Sequence, residues 1–524
     1  MKNFVLVILI SIFVLLSFKK VYTSDTLIPN LEPYPDTLYY SVPAWNFVHG
    51  DGFVMKTQDT VIKQQTPPLL GIYLVPFFFL FKDIRAFYFA NMILSISTII
   101  FFVFAIDKIF PGKALYKGAL TFFLGFFLVT NFYFYSMPQL LMAEPLTLFL
   151  VTLGIYLYVS ENNLFKTFVS SQLGILLVLV KLSNVPYSLI FTILFFIKFF
   201  PKPKPNKYFK LFMIFTGLGL LYFVGYMFTS QLLTNHKNLG GTDFNIIHFK
   251  KGIEIYTKTL IGKAGIRYLW YTEKFIPSLV TLISFIGLAA GLYKPKIRKT
   301  AVALFSIVLF TVIFMSFFVT QDLRYIIAVL PAYLLLSGFT FQEIARKTSK
   351  AISIVFMILI ILSTLFLKNQ GYKENEISLL TFKKQVGLNF RHREVPWNYE
   401  AVQIFNKFTQ NSDPKKTYIA TFLPAPFIEV YSNNNYQILP ISTWQEFYWL
   451  EPKLLQKVIG SNLISRYKKL ISEGNNVYIT YYYQSNVPSQ WPKQISELVS
   501  NFSTTKVYDG CLSSCDIYQL NNKE

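Results

Sequence analysis

Four clusters of polar residues stand beside apolar runs, where charge is costly and usually functional, and they are the candidates for chemistry. The first runs from Glu32 to Ala44, with Asp36 ahead of an aromatic stretch that carries Tyr39 and Tyr40, and Gly50 beyond. A carboxylate against such a surface loses part of its hydration, which makes it a better proton acceptor and suits it to general-base work. A loop aspartate after a proline is the plainer reading. The second cluster, Thr66-Pro67-Pro68-Leu69, says on its own only that the chain turns. The third runs from Met137 to Pro145, and its Glu144 is a lone acid between two apolar runs. Glu-Pro also suits the first turn of a helix, so capping and chemistry stand level there. The fourth is Gln321 to Tyr325, followed by Leu330-Pro331. An arginine at Arg324 is placed to grip a phosphate in the headgroup region, and snorkelling is its alternative role.

The elements that must position these clusters are apolar helices. Only 15% of the 524 residues are charged against 53% hydrophobic, the mean hydropathy is +0.42, and Phe alone contributes 55 residues. A soluble domain averages about a quarter charged residues. Twelve apolar runs follow one another: 4–18, 68–81, 86–106, 118–135, 146–159, 168–180, 186–200, 211–229, 276–293, 301–319, 325–341 and 351–367. Between them lie basic knots at Lys108/Lys113/Lys117, Lys202/Lys204/Lys207, Lys294 to Lys299 and Arg346 to Lys350. Cytoplasmic loops collect Lys and Arg. All four knots become cytoplasmic together if the run 68–81 dips into the outer face rather than crossing, which leaves eleven spans and a cytoplasmic N-terminus. Its Pro67-Pro68 start, Pro76 and short length fit that, with a short ordinary span as the alternative. Lys19-Lys20 on the outer side departs from the pattern. The first run reads as an uncleaved helix, because no small-x-small cleavage site follows it.

On this reading the outer side carries a first loop from Lys19 to Phe81, a second from about Ser230 to Phe275, and the tail from Lys368 to Glu524. The boundaries are therefore a membrane domain at 1–367 and an extracytoplasmic domain at 368–524. The tail alternates strand-like runs, Thr417 to Phe422 and Asn476 to Tyr483, with a helical stretch from Leu454 to Ser472, which suggests a small α/β unit. Both cysteines, Cys511 and Cys515, lie in it, and an outer location permits a disulfide between them, with free thiols as the alternative. The four histidines show no metal-ligand spacing, and no Walker A loop, dinucleotide fingerprint or nucleophile elbow is present. The net charge of +22 suits anionic headgroups and is not read as nucleic-acid binding.

Taken in order, an early outer-loop Asp36 with Ala44 and Gly50 behind it, then Pro67-Pro68-Leu69, then Glu144-Pro145-Leu146, then Arg324-Tyr325 with Pro331, resemble the GT-C superfamily of membrane glycosyltransferases. The branch is that of the protein O-mannosyltransferases and lipid A aminoarabinose transferases. The resemblance covers roughly residues 1–350. It implies a plasma-membrane enzyme of the cell envelope that takes a sugar from a polyprenyl-phosphate donor to an acceptor (a lipid, glycan or protein) on the outer face. It also implies Asp36 as general base with inversion, Glu144 as acceptor-orienting acid, Arg324 and then Lys63 as phosphate-binding cations, and Tyr39, Tyr40 and Tyr325 as pocket residues. A divalent ion, Mg or Mn, held by Asp36 and Glu144 stays open. The sequence departs from the family where Thr37 follows Asp36 in place of Glu, and where Gln65-Thr66 stand in place of Glu-Lys. These departures keep an inactive relative in view. A transporter or flippase is the other class, but no internal repeat is evident, and the one charge near a span interior, Lys181, reads as lying toward its outer end.

Overall fold

A computed structural model describes residues 1–21, 36–57, 60–62, 66–139, 141–200, 207–230, 245–262, 266–268, 271–273, 275–318, 322–366, 397–421, 428, 430–440, 463–480, 496, 498–509 and 516–523. Each of the twelve apolar runs gives a helix. They are α1 Lys2–Val21, α3 Leu69–Phe81, α4 Ala86–Ile109, α5 Ala114–Val129, α7 Glu144–Val159, α8 Leu164–Val180, α9 Val185–Phe199, α10 Lys207–Ser230, α12 Ser278–Tyr293, α13 Pro295–Met315, α14 Leu330–Lys347 and α15 Lys350–Phe366. Three shorter or more polar helices are interleaved: α2 Asp36–Val48, α6 Phe132–Ser136 and α11 Ile246–Leu260. Among the described residues five segments are long and apolar enough to cross a membrane, namely Ala86–Ile109, Leu182–Phe199, Lys207–Met227, Pro295–Met315 and Ile327–Lys347, and the other seven apolar helices are shorter.

Local chemistry explains where these helices start. Pro145, Pro186, Pro295 and Pro331 occupy first-turn positions, where the missing N–H costs nothing. The Asn163 side chain accepts from Lys166 N at 2.8 Å and caps α8. Hydroxyls inside the spans bond back along their own helix, as Ser95 does to Asn91 O (3.0 Å) and Thr98 to Leu94 O (2.9 Å), so little polar surface meets lipid. Burial then sorts the bundle. The segment Ile327–Lys347 is 83% buried and forms its centre, whereas Lys207–Met227 is 11% buried and turns Leu218, Leu221 and Tyr222 outward.

The ends of the helices can be matched through their contacts. Asp107 at the end of α4 pairs with Lys2 at the start of α1 (3.6 Å) and with Lys117 near the start of α5 (2.6 Å). Near the other end of α1, Ser17 donates to Tyr135 O (2.7 Å), just past α5. The 13 residues of α3 reach only about 20 Å at 1.5 Å per residue. Its Tyr73 hydroxyl donates to Ala90 O (2.9 Å) in the first turns of α4, and Phe81 stacks on Phe89 of the same helix.

The centre is held by close helix crossings. Thr340 of α14 donates to Ile283 O of α12 (2.6 Å), and a Cβ at Gly287 would fall inside contact distance of the Leu336 carbonyl. Gly287→Val is therefore expected to lower stability by about 1–3 kcal/mol, the usual cost of overpacking. Thermal unfolding of the detergent-solubilised protein measures it, and Gly287→Ala should cost less.

Two short antiparallel pairs come earlier in the chain, β1 Met55–Thr57 with β2 Thr60–Ile62 and β3 Ile266–Tyr268 with β4 Tyr271–Glu273. In the tail, β5 Thr417–Thr421, β6 Gln437–Pro440, β7 Asn476–Thr480, β8 Phe502–Tyr508 and β9 Ile517–Asn522 form one sheet in the order β6-β5-β7-β9-β8. β5 is parallel to β6 and β7, and β9 is antiparallel to β7 and β8. Among the described residues two helices lie in this stretch, α16 Trp397–Phe408 and α17 Leu463–Ser472, and Tyr467 of α17 is buried with Val477, Ile479 and Phe502. The expected strands at 417 and 476 are β5 and β7. The expected helix from 454 is described from Leu463 onward. Cys511 and Cys515 lie outside the described residues.

Candidate functional site

Four charged side chains meet where α7, α8 and the turn before α14 come together. Glu144 is the first residue of α7 and 3% exposed, and its Oε1 accepts from Lys181 Nζ at 3.0 Å. Lys181 follows α8 directly and is fixed there by the next turn. Asn184 donates to Thr147 Oγ1 of α7 (2.8 Å) and to Leu177 O of α8 (3.1 Å), which ties the two helix ends together. Arg324 lies in a 3-10 turn, Leu323–Tyr325, with Asp322 as its N-cap. Asp322 Oδ1 accepts from Arg324 N (2.9 Å) and Oδ2 from Arg324 Nε (3.2 Å), while Arg324 Nη1 donates to Met142 Sδ (3.3 Å).

The turn that carries Arg324 is anchored by two buried tyrosines. Tyr187 of α9 donates to Tyr325 O (3.0 Å) and Tyr256 of α11 to Asp322 O (3.4 Å). The Tyr325 ring then gathers both cations, with Lys181 Nζ 5.3 Å and Arg324 Cζ 5.9 Å from its centroid. Two cations and two carboxylates are thus held in a largely buried cluster. Burying charge costs more than most ion pairs return, so such a cluster indicates a site more than a source of stability. Glu144 Oε2 is buried and has no hydrogen-bond partner among the described residues, which leaves one acceptor atom of the cluster to be met by something else.

The other sequence candidates fall around this cluster or outside the description. Asp36 is the first residue of α2, and Tyr39 and Tyr40 are buried on that helix. Tyr40 lies within electrostatic reach of Lys181, and residue 36 sits one turn before it on the same face. Thr66 donates to Tyr39 O (3.0 Å), so the Pro67-Pro68 turn is fastened to α2. The first, third and fourth clusters therefore converge, with the second one step behind. Lys63 lies outside the described residues.

Sequence reasoning missed Lys181 and Asp322 as members of the site. Lys181 had a signal, since it was the one charge near a span interior, toward its outer end. Its partner Glu144 lies 37 residues away, and only packing brings them together. The donor set fits a divalent ion poorly. Oε1 of Glu144 is held by an ammonium, and among the described residues no three His, Cys, Asp or Glu side chains come together.

This arrangement sits in a known fold. No family model matches the chain, and no curated protein matches it in sequence. Solved structures do. ArnT from Cupriavidus metallidurans bound to undecaprenyl phosphate aligns with a TM-score of 0.61 at 11% identity, over 98% of this chain and 97% of that one. The arabinofuranosyltransferase AftD from Mycobacteria aligns at 0.52 and 9% identity, over 100% of this chain and 40% of that one. The Archaeoglobus fulgidus oligosaccharyltransferase tethered with an acceptor peptide aligns at 0.51 and 11% identity, over 100% and 74%. The chain shares its fold with these three transferases, which is the fold expected from the GT-C resemblance.

Proposed function

We propose that the chain is a membrane glycosyltransferase that moves a sugar from a polyprenyl-phosphate donor to an acceptor nucleophile. The observation that carries this reading is the buried pairing of Lys181 and Arg324 on the Tyr325 ring beside Glu144. In this mechanism the acceptor hydroxyl gives its proton to Asp36 and attacks the anomeric carbon opposite the phosphate. The carbon–oxygen bond to phosphate breaks, its electron pair leaves with the lipid phosphate, and configuration inverts. The leaving phosphate gains one negative charge, and preorganised cations aimed at that charge lower the barrier. Arg324 and Lys181 supply them, with Lys63 as a further cation from the first outer loop. Glu144 holds Lys181 with one oxygen and offers the other to the acceptor. Tyr39, Tyr40 and Tyr325 line the approach. No step passes through a metal ion.

The orientation is part of the proposal. With eleven spans, and α3 lying against the outer face of a plasma membrane, the N-terminus and the basic knots are cytoplasmic. The cluster and the domain 368–524 are then outside. The Lys2–Asp107 pair and the short α3 packed on the first turns of α4 support this reading.

The test is turnover by purified protein in lipid with a panel of radiolabelled polyprenyl-phosphate sugars. Label leaving one donor supports the reading, and no turnover of any donor in the presence of candidate acceptors moves it to an inactive relative or a transporter. Arg324→Gln is expected to lower the turnover of that donor by about 10²–10³-fold, the scale of losing one preorganised donor to a developing anion. Single-turnover kinetics checks it. Arg324→Lys should recover part of the loss, because a point charge replaces a fork.

A further inference from the structure

The opposite end of the bundle holds a second concavity. Helix α7 carries Glu144 in its first turn and Tyr158 in its last, so about 21 Å separates the two at 1.5 Å per residue. There the ends of α4, α7, α9 and α14 and the starts of α13 and α15 surround a cavity of ≈ 1380 Å³. Lys108, Lys198, Lys296, Lys299, Arg346 and Lys350 line it, and among the described residues no carboxylate does. Two acids near it are already engaged. Glu343 pairs with Lys294 and Arg346, and Asp107 with Lys2 and Lys117. Among the described residues no carboxylate lies within ion-pair distance of Lys108, Lys296, Lys299 or Lys350. Lys198 is aimed by backbone carbonyls, donating to Ser160 O at 2.8 Å. Beside Lys294, Tyr116, Tyr158, Thr300 and Gln342 the rest of the wall is apolar, with Val159, Leu194 and Phe199, and with Ile197 and Phe200 exposed on the outer surface of the bundle.

Unpaired cations converging on a cavity call for an anion, and the apolar wall beside them calls for hydrocarbon. We propose that this cavity binds the phosphodiester headgroup of an anionic phospholipid, with the acyl chains leaving past Ile197 and Phe200. A soluble phosphate would satisfy the lysines but leave that wall unused. Basic pockets between membrane helices take anionic headgroups for this reason. The assignment does not rest on the transferase reading.

The test uses the full chain in detergent and native mass spectrometry with phosphatidylglycerol or phosphatidylcholine. The comparison is between the parent, the cavity variant Lys296→Gln/Lys299→Gln/Lys350→Gln, and a control that removes equal charge outside the cavity, Lys113→Gln/Lys207→Gln/Lys210→Gln. Removing three phosphate-facing charges should weaken phosphatidylglycerol retention roughly tenfold or more, while the control and the phosphatidylcholine series stay at parent levels. An equal loss in the control would show diffuse surface charge and overturn the site. So would equal retention of both lipids by the parent. Inorganic pyrophosphate forms the third arm: if it binds the parent as tightly as the lipid and the cavity variant loses it, the ligand is a soluble phosphate and the lipid assignment fails. Matching thermal unfolding of the three proteins excludes misfolding as the cause.

Discussion

Asp36→Asn is expected to lower sugar transfer by about 10³-fold, in the middle of the range for loss of a general base. The amide keeps the shape of the side chain and still suits a helix start, so α2 should remain in place. Donor binding should change little, because the phosphate is held by Arg324 and Lys181 on other elements. The two quantities are separable: equilibrium binding of labelled donor reports the phosphate contacts, and single-turnover chemistry reports the base. Retained chemistry would move the base elsewhere. Glu144 is a poor substitute, since its Oε1 already accepts from an ammonium at 3.0 Å. The prediction rests on the placement of residue 36 one turn before Tyr40, whose helix faces Lys181.

What was legible in the sequence follows from what each signal depends on. The apolar helices were legible because lipid exposure and helix length leave long runs, and each of the twelve runs corresponds to a helix within six residues at either end. Their depth in the bundle was not. The central segment Ile327–Lys347 and the peripheral Lys207–Met227 read alike as apolar runs, yet are 83% and 11% buried. In membranes the core and the solvent are both apolar, so hydropathy cannot separate a core helix from a lipid-facing one. Glu144 and Arg324 were legible because a charge beside a span needs a reason. Lys181 was seen and placed near the outer end of its span, but its partner is set by how α7 and α8 pack. Asp322 was hidden beside Arg324, and its role as both cap and counter-ion depends on a single 3-10 turn. In the tail, the strands β5 and β7 announced themselves through Thr, Tyr, Ile and Val, whereas β8, with its exposed middle, and the short β6 did not.

Lys181→Met should damage both stability and turnover, and the double variant with Glu144→Gln should separate the two effects. Removing one partner of a buried pair leaves the other charge uncompensated, at a cost of about 3–5 kcal/mol. Glu144 is only 3% exposed and its second oxygen already lacks a partner among the described residues, so water cannot readily take over. Replacing both partners by groups of similar shape removes the uncompensated charge, and thermal unfolding of the double variant should return most of the way to the parent. Turnover should not return. The donor phosphate would still lack one of the two cations gathered on the Tyr325 ring, leaving there only Arg324, which is shared with Asp322, and the acceptor would lack the Glu144 carboxylate. Recovery of both stability and turnover would make the pair a structural brace between α7 and α8 and leave phosphate binding to Arg324. Recovery of stability alone would show that the pair does more than brace α7 against α8, with Lys181 serving the leaving phosphate and Glu144 the acceptor.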